Sequence, residues 1–134
     1  MLLLDALNWR YAVKRMNNDK VPKEQINRIL EAIRLSPSAY GLQPYNIFVT
    51  EKADIKEKIR KAAFDQPQVT ECSHLLVFAA WSDVTEKHVQ DYLNFAADER
   101  NVSVEKLDKL KHHIMKFVES RTSSEKYEWA KRQT

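Results

Sequence analysis

The chain has 134 residues, 43% hydrophobic and 31% charged, with a net charge of +3 from 22 basic and 19 acidic residues. These proportions suit one globular domain over residues 1–134 and exclude a disordered chain. No apolar run approaches the roughly 20 residues of a membrane helix, and basic residues interleave with acids, as in Glu57-Lys58 and Glu105-Lys106, which argues against a nucleic-acid-binding face.

Met1-Leu2-Leu3-Leu4-Asp5 lacks the basic flank and longer apolar run of a secretory signal, so a cytoplasmic location is expected. Leu3, Leu4, Leu7 and Tyr11 fit a short amphipathic helix leading into Arg10. Residues 17–21 read as a loop. Pro22 suits a first helical position, and Ile26, Ile29, Leu30 and Ile33 follow at helical spacing, with an end near Leu35 ahead of Pro37. Ser36 to Pro44 holds two prolines, two serines and the sole glycine, and reads as an ordered functional loop. Tyr45 to Thr50 alternates as a strand, and residues 53–63 suggest a helix with Ile55 and Ile59 inward. A loop is expected around Pro67. The apolar run His74 to Trp81 suggests a strand covered on both faces. Helices follow over 84–100, with Val89, Leu93 and Ala96 on one face, over 104–119 behind a Ser103 cap, and from Ser123 or Ser124 to Thr134.

Two convincing strands make a marginal sheet, and a doubly covered strand asks for neighbours. The last helix also ends without a glycine cap. The elements alone therefore predict an α/β or α+β protein whose C-terminal part is missing.

One glycine, Gly41, stands where average usage gives roughly nine. A P-loop, a dinucleotide-binding glycine turn and a G-x-S-x-G elbow all need several, so a phosphate-bearing cofactor would have to be held by cationic side chains and helix ends. The single Cys72 excludes an internal disulfide and a cysteine-rich metal site. His88, His112 and His113 lack metal-ligand spacing, so no metal is expected. Cys72 and His74 could share a strand face, but a small buried thiol and a strand-end histidine are the simpler reading. Trp9, Trp81 and Trp129 read as core or interface anchors.

Four motifs occur in one order along the chain: Arg10-Tyr11-Ala12-Val13-Lys14; Ser36-Pro37-Ser38-Ala39-Tyr40-Gly41-Leu42-Gln43-Pro44; Phe64-Asp65-Gln66-Pro67-Gln68-Val69-Thr70; and Glu128-Trp129-Ala130. Together they resemble the N-terminal portion of the nitroreductase family of flavin mononucleotide (FMN)-dependent enzymes. The resemblance implies an α+β, three-layer α-β-α sandwich with helices around a mostly antiparallel central sheet, here lacking its C-terminal part. It implies a homodimer with FMN at the subunit interface, and NAD(P)H as reductant for nitroaromatics, quinones or similar acceptors, in ping-pong alternation.

On that resemblance Arg10, Tyr11, Ala12 and Lys14 bind the cofactor. Arg10 takes the phosphate through paired charge-assisted hydrogen bonds, and Lys14 the N1/O2 edge of the ring. Ala12 departs from relatives that place a serine hydroxyl on the phosphate. Pro37, Ser38 and Ala39 contact the flavin of the partner subunit. Asp65 and Gln68 meet the polar edge of the ring; Asp65 replaces a more usual asparagine and, being only an acceptor, opposes negative charge there. Tyr40 and Phe117 face the substrate. No catalytic side chain is implied, because the cofactor carries the chemistry. A pteridine or enone acceptor, or a flavin-fragmenting relative, stays open within the same fold. A fragment that does not retain flavin also stays open.

Overall fold

The computed structural model describes residues 2–134. Among them are seven α-helices, two strands and two short 3-10 turns. None of the helices among the described residues is long and apolar enough to cross a membrane. Two compact units divide the chain, one of Met1–Leu30 with Val49–Leu76, the other of Glu31–Phe48 with Val77–Thr134.

In the first unit, α1 (Leu3–Trp9) forms where the leucine spacing predicts it but buries none of its residues. Trp9, expected as an anchor, is 77% exposed. Helix α3 (Ala53–Ala62) packs against α4 (Pro67–Glu71). The latter replaces the loop expected around Pro67. The proline sits at the first helical position, where its missing N–H is lost at no cost and its fixed φ favours the turn. Between α3 and the end of α4, Lys56 is only 4% exposed, and its Nζ donates to the Cys72 carbonyl at 2.6 Å. The ammonium thus caps a helix end whose carbonyls lack intrahelical partners.

Helix α2 (Lys23–Arg34) follows Pro22 and buries Ile26, while Ile29 faces outward, so its apolar stripe is narrower than its spacing suggests. The second unit is organised by α5 (Glu86–Glu99), α6 (Asp108–Glu119) and α7 (Ser123–Gln133). Val89, Leu93 and Ala96 of α5 meet Ile114, Phe117 and Val118 of α6 in one buried cluster with Leu42 and Val84. Leu93 and Ile114 are fully buried, each contributing about 1.5–3 kcal/mol of transfer free energy. Thr85 caps α5 by accepting the His88 amide, and Thr122 caps α7 in a reciprocal box with Glu125. Ser103 makes no capping bond; a 3-10 turn over Val104–Leu107 precedes α6, so the helix expected from residue 104 begins at Asp108.

Strands β1 (Tyr45–Thr50) and β2 (Leu75–Ala80) pair in a two-stranded sheet. The Trp81 amide donates to the Pro44 carbonyl at 2.9 Å, so the end of β2 lies beside the start of β1 and the pair is antiparallel.

The expected sandwich lacking its C-terminal part requires correction. That expectation takes β2 as covered on both faces and α7 as cut short. The strand is instead only partly buried among the described residues, with Phe78 41% exposed. Helix α7 is seated in its unit: Ala130 is fully buried and Gln133 Oε1 accepts the Ala39 amide at 2.8 Å.

Lys126 pins α7 through its buried ammonium, which pairs with Asp83 at 2.7 Å and donates to the Val84 carbonyl at 3.1 Å. The Lys126 hydrogen bond holds the Asp83 carboxyl below the usual aspartate range, helped by the Val84 amide and Ser123. A depressed carboxyl stabilises the fold above its unfolded-state pKa, and that stability is lost as pH falls through the folded-state value. Thermal melts at neutral and acid pH should therefore show Asp83→Asn less stable than the parent at pH 7 and the difference closing as the pH falls through the depressed folded-state value. A difference that does not change with pH would contradict this assignment.

Candidate functional site

The segment after α1 has no regular structure, yet it is fixed at its far end. The Arg15 guanidinium reaches Glu71, with Nε to Oε1 at 2.8 Å and to Oε2 at 3.0 Å and a closest approach of 2.6 Å; the Met16 amide donates to Oε2 at 3.0 Å. These bonds, the Arg15 bond foremost and then that of Met16, hold the Glu71 carboxyl below its ordinary range. A few residues on, the Val21 amide donates to the buried Ser73 hydroxyl at 2.9 Å. Between α1 and this clamp, Arg10, Tyr11, Ala12 and Lys14 are all exposed. Neither Arg10 nor Lys14 enters an ion pair among the described residues. Arg15 and Lys14 are neighbours with opposite fates: one cation is consumed in shaping the segment, the other stays exposed and without an ion pair among the described residues.

The same unit carries Phe64 and Asp65, consecutive residues in the left-handed region with φ of 53° and 55°. Asp tolerates this conformation better than most side chains; a phenylalanine does not, and here it is 93% exposed. Arg60 holds the turn, its Nε 2.9 Å from Asp65 Oδ1 and donating to the Asp65 carbonyl at 3.2 Å. The negative charge of Asp65 is therefore partly offset from within its own unit. Gln68 lies on α4, half-buried, its amide turned to Gln66 Oε1 at 3.3 Å.

In the second unit the loop before β1 is held by bonds within itself and by three helices. The Gln43 side chain donates to the Arg34 and Ser36 carbonyls at 3.0 and 3.1 Å, and its amide donates to Ser38 Oγ at 2.9 Å. Tyr40, Gly41 and Gln43 all have positive φ, of 60°, 74° and 42°. Tyr92 of α5 closes over the turn, its hydroxyl donating to the Tyr40 carbonyl at 2.7 Å. Pro37 is exposed; Ser38 and Ala39 are half-buried. Ser38 Oγ accepts from Gln43 and keeps its own proton to donate; the Ala39 amide is already spent on Gln133.

Tyr40 and Phe117, singled out separately in the sequence, come together with ring centres 5.9 Å apart in an edge-on arrangement. Phe117 is 8% exposed, covered further by Trp129 at 4.7 Å and by the Arg121 guanidinium 4.0 Å from its centre. Tyr40 is 39% exposed. The Arg15–Glu71 clamp, Arg60, Tyr92 and Gln133 carry no spacing signal, since each acts through a partner distant in sequence or on a turn; Arg121 acts back on Phe117, four residues before it. Gln43 alone was within reach of the motif, in its Gln-Pro pair.

Cys72 donates its thiol to the Val69 carbonyl, and His74 lies between Ser73 at 2.8 Å and Glu51 at 3.1 Å. Both are spoken for in packing the start of β2. Trp81 stacks on His88 at 4.3 Å.

Compared with known proteins, residues 7–132 match the model of the nitroreductase family. A protein of Staphylococcus saprophyticus, provisionally named an NAD(P)H nitroreductase, is 37% identical over 93 residues, which are 68% of this chain and 42% of that one. The major NAD(P)H-flavin oxidoreductase of Aliivibrio fischeri is 28% identical over 123 residues, 87% of this chain and 56% of its own length. The crystal structure of a provisionally named nitroreductase from Exiguobacterium sibiricum, in complex with FMN, superposes with a TM-score of 0.71 at 21% identity, over 99% of this chain and 67% of that one. The α-β-α fold is thus matched almost from end to end of the chain, which overturns the expected C-terminally cut version of it. The chain spans about half the length of the relatives it matches.

The loop geometry makes Gly41 critical. A Cβ there would lie 2.8 Å from the Tyr92 hydroxyl, at a φ that favours glycine. Gly41→Ala should cost about 1–2 kcal/mol in denaturant unfolding, from strain and the displaced hydrogen bond together. Tyr92→Phe should lose only the hydrogen-bond part. Equal stability of Gly41→Ala and parent would contradict this geometry.

Proposed function

This chain belongs to the nitroreductase family, and on that premise we propose that it is the FMN-binding domain of an NAD(P)H-dependent oxidoreductase that reduces nitroaromatics, quinones or similar acceptors. The observation that carries the reading is the clamped segment, in which Arg10 and Lys14 stay exposed and unpaired among the described residues while Arg15 is tied to Glu71. A glycine-poor chain has no phosphate-cradling turn, so a planar guanidinium followed four residues later by an ammonium is the donor set that fits a flavin phosphate and the electron-rich edge of its ring.

FMN, when bound, supplies hydride transfer from NAD(P)H to the acceptor in two alternating half-reactions. The chain's own residues bind and orient it. Arg10 takes the phosphate, with the backbone at Tyr11 and Ala12 beside it. Lys14 places a positive charge at the N1/O2 edge. Gln68 can donate and accept at the polar edge of the ring; Asp65 accepts there, its charge moderated by Arg60. Pro37, Ser38 and Ala39 contact the flavin held by a second copy in a homodimer, and Tyr40 and Phe117 shape the acceptor side. The bare apolar face of α1, with Leu3, Leu4 and Trp9 exposed, supports a second copy as its cover. A cytoplasmic location goes with this reading.

Arg10→Ala should weaken FMN uptake by about 10- to 100-fold, the range for a charge-assisted hydrogen-bonded pair, measured by visible absorbance during titration. Unchanged uptake would remove Arg10 from the phosphate. Asp65→Asn should shift the potential of bound FMN to a more positive value, since it removes an anion that opposes reduction. A spectroelectrochemical titration giving the parent's potential would take Asp65 away from the flavin. Purified protein that takes up no FMN and oxidises no NAD(P)H with nitroaromatic or quinone acceptors would overturn the reading as a whole.

A further inference from the structure

On the proposed reading Phe117 shapes the acceptor side from beneath: it is buried, and the groups that cover it are the ones a ligand there would meet. Arg121 and Trp129 line a groove of about 400 Å³ together with Ser124, Glu125, Glu128 and Arg132. That volume is in the range of small-molecule sites. Arg121 is held in place: its guanidinium lies over the Phe117 ring, and one terminal nitrogen donates to the Phe117 carbonyl and to Ser120 Oγ, each at 3.2 Å. Its remaining donors have no carboxylate partner among the described residues. Arg132 lies in the last turn of α7, whose first residue, Ser123, follows two residues after Arg121.

The two acids of the groove are already committed. Glu128 pairs with Lys131, and Glu125 accepts from the amide and hydroxyl of Thr122, both at 2.9 Å. Arg121 reaches Glu125 only through space, a minor influence beside those bonds. Two arginines set against two occupied carboxylates leave room for one added negative charge and disfavour two.

We propose that this groove is a binding site for a planar aromatic carboxylate, its ring against Trp129 and its carboxylate on Arg121, with Arg132 supporting from the far end. Arg121 is then a specificity-determining residue that favours acidic aromatic acceptors over neutral ones of the same shape. Its link to reduction rests on the reading that Tyr40 and Phe117 face the acceptor; binding itself needs no flavin.

The test is an NMR titration of the full chain with 2-naphthoate, 2-naphthamide and adenosine monophosphate, following the Trp129 indole and Arg121 Nε–H signals. Naphthoate should bind about fivefold more tightly than the amide, the upper end for an exposed ion pair, and Arg121→Gln should abolish that preference. Arg121→Lys, which keeps the charge, should restore part of it, and Arg132→Gln, which alters no backbone contact, should reduce it. Equal affinity for acid and amide, a preference untouched by Arg121→Gln and Arg132→Gln, or tighter binding of the dianionic nucleotide would overturn the proposal. FMN uptake measured on the same samples tells failure of the groove apart from failure of the flavin reading.

Discussion

The Glu71 carboxylate receives the guanidinium of Arg15 and the amide of Met16, and the placing of the segment from Arg10 to Lys14 depends on it. In a chain with one glycine, turns that wrap the backbone around a charged ligand are costly. A side-chain clamp holds an irregular segment without them and leaves its other cations unspent. The distinction between Arg15 and Arg10 follows. The same residue type serves as a structural tie where a carboxylate meets it and, at Arg10, stays exposed as the proposed phosphate contact requires.

The loop before β1 solves a related problem with different means. Left-handed conformations at Tyr40 and Gln43 are unfavourable, of order 1 kcal/mol or more each for non-glycine residues. They persist because the surroundings over-determine them: Gln43 binds two carbonyls, Tyr92 binds the Tyr40 carbonyl, and Gln133 takes the Ala39 amide. The result aims the Tyr40 ring at Phe117. Such strain is worth maintaining where a side chain must point one way, and it concentrates here in one of the motifs that carry the family resemblance. Phe64 and Asp65 repeat the pattern, with Arg60 as the retaining group.

Elements governed by local periodicity were legible from the sequence. Residues 45–50 form a strand as their alternation predicts, and Val89, Leu93 and Ala96 are buried together as their spacing predicts. What was not legible depends on contacts between distant residues. Nothing near Lys56 announces that its ammonium will be buried against the Cys72 carbonyl, and nothing in Arg15 names Glu71 as its partner. The α4 turn was hidden by Pro67, which reads as a breaker until its place at the helix start is known. Apolar composition also misled in two places. The run over β2 suggests cover on both faces, yet Phe78 is exposed; the α1 leucines suggest a buried stripe, yet the helix buries none of them. Of the site, the motif residues were visible as residue types; the groups that restrain them, Tyr92, Gln133, Arg60 and Arg121, were not.

On the proposed reading the clamp, and not Arg10 and Lys14 alone, makes the N-terminal segment able to hold FMN. The direct measurement is the FMN dissociation constant of Glu71→Ala, in which both ligand cations are retained, against that of the parent, with circular dichroism checking that the helices are intact. Weaker FMN binding with unchanged helix content is expected, because the segment loses its preorganisation. Parent-like affinity in Glu71→Ala would contradict it.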